Sequence, residues 1–323
     1  MRRIPKKFAV MAVSATIAGV VGFTATPAPA APIAYTTLST DGCQLATIDL
    51  ATGDVTALPA PPSSAACVDD LAVAPDGTVY GIIDLPDNGQ SANLVTFDPT
   101  TGAVVDSTGF SGNFDASFTA HGGIAVDRNG VMYASFTTNE EGCSDFGNSE
   151  AVSCLYLIDP ATAAATLIGP SGFNLVRMFW LTTNCDGAML TGFSSNDLKS
   201  VTDASADSGA QAEVPDPIET FADDVGPLTT GLDLASVNEG TGAVTDGPPL
   251  DNDLFGLEWA PTGPLYAIGE IENNGAILHV FVVDPATGDM TVVADPNLGQ
   301  LASIENLAMA VTCPTELVVN FTG

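Results

Sequence analysis

The chain has 323 residues, 39 of them acidic and seven basic, for a formal charge of −32 at neutral pH. A field of that sign repels nucleic acid and anionic lipid surfaces, which excludes both as partners. A hydrophobic share of 46% excludes a disordered chain.

Residues 1–30 read as a secretory signal peptide. Arg2, Arg3, Lys6 and Lys7 form a positive start, Phe8–Phe23 an apolar core, and Ala28-Pro29-Ala30 a small-residue cleavage site. The remainder, residues 31–323, is long enough to bury a core as one domain. It keeps only Arg128, Arg177 and Lys199 against 39 acids, a net charge of −36. The expectation is a secreted, extracellular monomer with no membrane anchor.

After the signal, Ile33–Ser39, Leu45–Asp49 and Val55–Leu58 read as short strands. A two-part pattern then repeats. The first part is an apolar run, a turn with Asp-Gly, Asn-Gly or Thr-Gly, and a second apolar run. It occurs at Leu71–Ile83 (LAVAPDGTVYGII), Ile124–Phe136, Leu181–Phe193 and Leu257–Gly269. The second part is an apolar run, Asp, a turn ending Thr-Gly, and a Val/Thr-rich run. It occurs at Leu45–Leu58, Leu94–Thr108 and Leu278–Val293, and in degraded form at Leu155–Ile168 and Leu234–Thr245. Alternating β-branched residues between such turns predict antiparallel hairpins. Asp49, Asp98, Asp159 and Asp284 recur at the turns, where an Asp side chain accepts from turn amides.

Two hairpins make one four-stranded propeller blade, with strands A to D running outward from the axis. Full units run from Leu71 through Ala294. Leu307–Thr312 remains as an A strand, and the N-terminal strands supply its B, C and D partners. The fold class is therefore all-β: a β-propeller of four-stranded antiparallel blades, most simply five, closed by N- and C-terminal strands. Six is the alternative, because Ser194–Gly231 repeats poorly.

The "apolar-Pro-Asp-Gly-x-x-Tyr" and "Asp-Pro-x-Thr-Gly" segments resemble secreted bacterial β-propellers with NHL-like, SMP-30-like or streptogramin-lyase-like repeats. The resemblance covers most of residues 31–323 and concerns architecture, which members with unrelated activities share. Gly256-Leu257-Glu258-Trp259 followed by Leu265-Tyr266 is also similar to five-bladed glutaminyl cyclases, without the rest of that signature.

Six cysteines fit an oxidising compartment. The blade map pairs Cys43 with Cys67 and Cys143 with Cys154, on the face of the B–C and D–A loops. Elimination leaves Cys185–Cys313 on the opposite face, across non-adjacent blades. The longest connections, Gly109–Ala120, Thr137–Ser153 and Ser194–Gly231, all lie on the first face, where binding loops are expected. Phe110, Phe114, Phe118, Phe146, Phe173 and Phe221 fall in these loops and suit either a ligand surface or packing beneath the loops.

Residues leading into the A strands ring the channel mouth on this face. They are Asp69, Asp70, His121, Asn174, Arg177, Asp251, Asp253, Glu305 and Asn306. Asp69, Asp70, Asp253, Glu305 and Asn306 offer the oxygen ligands of a metal site, with Ca²⁺ as the cation they suit. Propellers of the SMP-30 kind hold a divalent ion with Glu, Asn and Asp in comparable places, so the resemblance implies the same. His121 and Glu305 are the candidate catalytic groups, His121 as a base near neutral pH. The other histidine, His279, falls in a C strand as a structural residue. Asp203–Gly209 echoes a calcium loop but lacks EF-hand spacing. Two functions fit. One is an extracellular module binding a small molecule, glycan or protein, stabilised by Ca²⁺. The other is a metal-dependent hydrolase or lyase with its site at the channel mouth.

Overall fold

The computed structural model describes residues 32–40, 42–63, 66–84, 92–112, 122–138, 143, 152–172, 178–194, 232–250, 252–260, 263–271, 277–296, 303–310 and 313. The signal expected over residues 1–30 lies outside them. So do the calcium-loop echo, His121, Asn174, Arg177, Asp251 and every loop phenylalanine except Phe110.

Three strands open the described chain: β1 (Ile33–Thr40), β2 (Gly42–Asp49) and β3 (Val55–Ala57). Blade I follows as β4 (Asp70–Val73), β5 (Val79–Asp84), β6 (Ala92–Phe97) and β7 (Val104–Gly109). A short β8 (Ser111–Gly112) leads to blade II, which is β9 (Ile124–Val126), β10 (Met132–Thr138), β11 (Val152–Asp159) and β12 (Ala164–Pro170). Blade III is β13 (Leu181–Thr183), β14 (Met189–Ser194), β15 (Leu232–Val237) and β16 (Val244–Leu250). Blade IV is β17 (Asp253–Trp259), β18 (Leu265–Glu270), β19 (Leu278–Val283) and β20 (Met290–Ala294). The last strand, β21 (Ser303–Ala308), pairs with β1, and the order β21-β1-β2-β3 makes blade V from both ends of the chain. The protein is a five-bladed β-propeller. The inner strands β4, β9, β13, β17 and β21 are neighbours in that order around the axis, and β21 returns to β4.

Side chains alternate across each sheet, so every blade is apolar on both faces. The buried residues form five clusters, one in each gap between blades. Ile82 and Leu94 of blade I meet Met132 and Tyr156 of blade II. Leu234 and Trp180 of blade III meet Leu257 and Phe281 of blade IV. Leu45 of blade V meets Leu71 and Phe97 of blade I, so the blade built from both ends of the chain is packed against its neighbour like the others.

The C–D turns carry the expected caps. Asp98 Oδ1 accepts from the amides of Thr100 and Thr101 at 2.8 and 3.1 Å, and Asp49 Oδ1 from those of Ala51 and Thr52 at 2.9 and 3.2 Å. Asp159 and Asp284 cap in the same way, and Asn238 takes the role in blade III. The residue that closes each turn is left-handed and abuts the end of the preceding blade's D strand. Gly242, at φ 74°, faces the carbonyl of Gly169, and a Cβ there would overlap that oxygen. Gly53, Gly102 and Gly288 hold the same place. In blade II it falls to Ala163, at φ 51°, which is fully buried.

Three features depart from the sequence reading. The A strand of blade V is Ser303–Ala308, four residues before the expected Leu307–Thr312. The pairing of β21 with β1 shifts register between Tyr35 and Thr37, and Asn306 there has φ 68°. The strand β17 likewise starts at Asp253, ahead of the expected Leu257, with a register shift between Leu254 and Gly256. Finally, β8 adds a fifth, parallel strand to the outer edge of blade II, against Ala164 and Ala165.

Candidate functional site: the axial carboxylates

The inner strands are short because the repeat places its turn after only a few apolar residues. This brings five equivalent positions to each level of the axis. The uppermost level, at the face of the B–C and D–A connections, is formed by the residue before each motif: Asp70, Gly123, Trp180, Gly256 and Asn306. Gly123 lets the inner strands of blades II and III approach closely, since a Cβ there would overlap the amide of Leu181.

The Asp70 side chain is 2% exposed. Its Oδ1 accepts from the amide of Leu71 at 2.9 Å and its Oδ2 from the amide of Ile124, in blade II, at 2.8 Å. The amide of Leu181, in blade III, also stabilises its charge. These amides sit at the starts of inner strands and would otherwise lack partners. Burial nevertheless dominates and pushes the Asp70 carboxyl well above the ordinary range, with the charge of Asp69 adding to the rise. At the same level Asn306 is buried. Its Nδ2 donates to the carbonyl of Val68 at 2.8 Å, and its own carbonyl accepts from Thr36 Oγ1 at 2.8 Å.

Two residues further along the inner strands, Glu258 stands level with Ala72, Ala125, Thr182 and Ala308. Its Oε1 accepts from Thr182 Oγ1 at 3.0 Å, and that hydroxyl accepts from the amide of Trp259 at 3.0 Å. Burial raises the Glu258 carboxyl well above its usual value, and the Asp70 charge raises it further. Among the described residues neither acid has a Lys or Arg partner. Arg128, the only Lys or Arg among the described residues, donates instead to the carbonyl of Cys185 at 2.5 Å. A small pocket opens beside Glu258, lined by Ala72, Val73, Ala125, Val126, Thr183 and Met309. These residues lie toward the ends of the inner strands, so the pocket is at the A–B turn side of the axis.

The structure brings two of the five expected metal ligands, Asp70 and Asn306, to one level on adjacent inner strands. Asp69 lies one residue before β4, its amide donating to the carbonyl of Ile82 at 2.7 Å. Asp253 begins β17 and Glu305 lies in β21 opposite Thr37, but their side chains, like His121, fall outside the described residues. Among the described residues no group of three or more His, Cys, Asp or Glu is placed to hold a metal ion. Of the phenylalanines named from the sequence, Phe110 packs edge-on against Phe136 at 5.1 Å. His279 Nδ1 pairs with Asp295 Oδ1 at 2.6 Å, tying β19 to the end of β20.

Sequence reasoning missed Glu258 and Thr182. The signal was present: a charged residue stands at a position where the other copies carry Ala72, Ala125 and Thr182. The structure joins Cys43 to Cys67, Cys143 to Cys154, and Cys185 to Cys313, and no cysteine is free. The third bond runs from the A–B turn of blade III to a residue beyond β21, with Cα atoms 5.4 Å apart.

Fold and axis together define a five-bladed, disulfide-bonded β-propeller with a carboxylate-lined centre. No family model matches the chain, and no curated protein matches it. Among solved structures it is similar to a gluconolactonase from Xanthomonas campestris, at 16% identity and a TM-score of 0.39, covering 88% of this chain and 80% of that one. It is also similar to a candidate 6-phosphogluconolactonase from Bacteroides fragilis, at 13% identity and 0.38, covering 87% and 99%. A protein of unknown function from Dyadobacter fermentans gives 11% identity and 0.43, covering 77% and 72%.

Proposed function

We propose that this protein is a secreted, acidic β-propeller that acts as an extracellular binding module. The face carrying the B–C and D–A connections engages a small molecule, a glycan or a protein. One observation carries this reading: Asp70, the acid that stands on the axis at this face, is committed to backbone amides of its own and neighbouring inner strands. A carboxylate used in that way closes the ring and leaves recognition to the loops. The longest connection, between β14 and β15, starts and ends at this face. Calcium stabilisation is part of the proposal, supported by the density of acids. Its ligands would be Asp69, Asp253, Glu305 and Asn306, with Asp70 behind them.

The test is calorimetric titration of the protein with a panel of soluble oligosaccharides, in Ca²⁺ and in EDTA. A second variant has residues 195–231 replaced by a short Gly-Ser linker. Saturable binding that the linker variant loses, at unchanged melting temperature, is the expected result. Ca²⁺-dependent turnover of ester or lactone substrates by the purified protein would establish the hydrolase reading instead.

A further inference from the structure

Blade V is the one blade whose strands are distant in sequence. Its inner strand β21 is held to β1 by the pairs Tyr35–Ala308, Thr37–Glu305, Leu38–Ile304 and Ser39–Ser303, interrupted by a register shift. Beyond β21, Ala310 bridges in parallel to Val73 of blade I, and Cys313 is bonded to Cys185 of blade III. That bond closes a loop of 128 residues. It ties the last strand of the ring to a blade with which it shares no sheet.

The three disulfides differ in access. Cys143 and Cys154 are both buried, and so is Cys43 of the Cys43–Cys67 bond. Cys185 and Cys313 are both half-buried, so this is the bond with neither partner enclosed. They also differ in charge. Disulfides are cleaved by attack of a thiolate, and a strongly acidic protein repels anions. Arg128 donates to the backbone carbonyl of Cys185, which puts a cation next to this residue. A cation there attracts the incoming thiolate and stabilises the departing one.

We propose that Cys185–Cys313 is a redox latch on ring closure: of the three disulfides it is cleaved first by dithiols, and its cleavage frees β21. One thiolate of the reductant displaces a protein sulfur and forms a mixed disulfide. The second thiolate of the reductant then attacks the reductant sulfur of that mixed disulfide and expels the second protein sulfur as a thiolate, and the reductant leaves as a cyclic disulfide. Two electrons pass to the protein, and two protons complete the thiols of Cys185 and Cys313. Blades I to IV keep their hairpin connections, while β21 retains only its contacts with β1 and the inner ring.

The experiment treats the oxidised full chain with graded dithiothreitol, traps thiols with iodoacetamide, maps them by peptide mass, and follows amide hydrogen exchange on the same samples. Cys185 and Cys313 are expected to be trapped first. Exchange should then rise ten-fold or more across residues 303–308 and their partners in β1, while β6, β11 and β15 stay protected. A Cys185→Ser/Cys313→Ser variant should show the same exchange without reductant, and Arg128→Gln should slow trapping several-fold. Trapping of Cys43 or Cys154 before Cys185 overturns the proposal. So does unchanged exchange in β21 once Cys185 and Cys313 are fully trapped. The wild-type titration decides even if the double variant fails to fold.

Discussion

Asp70 and Glu258 are two buried acids with no Lys or Arg partner among the described residues, and they hold the centre of the ring in different ways. Asp70 serves backbone amides, so Asp70→Ala leaves those of Leu71 and Ile124 without their partner. The expected loss is about 2 kcal/mol or more in a urea titration, because a buried unpaired amide costs about 1–3 kcal/mol. A variant as stable as the wild type would show that water takes over the role. Burial raises the folded-state pKa of both acids, so the folded chain binds more protons than the unfolded one. Stability from this source is therefore complete below about pH 4, where unfolded carboxyls are protonated. It falls as pH rises toward the folded-state values. The turn caps Asp76, Asp98 and Asp159 act in the opposite sense. Amide hydrogen bonds hold Asp76 and Asp98 below the usual carboxylate range, and the Thr162 hydroxyl chiefly does so for Asp159. Their contribution is lost as pH falls through those lowered values.

At the scale of the element, the C–D turn shows what a repeat can and cannot convey. The Asp and the Gly of Asp-x-x-Thr-Gly were legible, because turn chemistry demands an acceptor and a left-handed residue. That the glycine also abuts the preceding blade was not legible, since the carbonyl it faces lies far away in sequence. Gly242→Ala should therefore cost about 2–4 kcal/mol, adding a clash to the left-handed penalty of about 1–2 kcal/mol. Gly77→Ala, left-handed at φ 90° but with open space around it, should cost only the smaller amount. Equal losses in chemical denaturation would contradict the docking role. In blade II, Ala163→Gly should be close to neutral. Relief of the left-handed strain offsets about 0.8 kcal/mol for the buried methyl. The register shifts in β17 and β21 were likewise hidden. Both strands begin in residues that lack the repeat's apolar pattern, and their pairing is set by the neighbouring strand.

At the scale of the whole molecule, five blades could be counted from the sequence because each hairpin repeats a pattern of period two with turns at fixed offsets. The site was less legible. Acids before the inner strands looked alike as candidate ligands, and only the fold separates Asp70, turned onto amides, from the rest. Glu258 was passed over because it sits inside an apolar run. If Ca²⁺ binds the folded ring at a hundred times its dissociation constant, the gain is about 2.7 kcal/mol. That is a melting shift of a few degrees for a chain of this length. A scan in EDTA and then in millimolar Ca²⁺ at fixed ionic strength checks it, and an unchanged midpoint removes calcium from the account.

The central claim is that the axis is a structural centre of neutral or amide-bound acids, with recognition left to the loop face. The most direct test is thermal unfolding of the wild type and Glu258→Gln across pH. The amide of Gln keeps an acceptor for Thr182 and removes the charge. The account predicts that the variant matches the wild type below about pH 4 and is measurably more stable at pH 8, because only the wild type loses stability as its buried Glu258 is driven to ionise. A variant less stable than the wild type at pH 8 would mean that Glu258 is ionised and paired in the native protein. A charged, paired Glu258 would contradict the account.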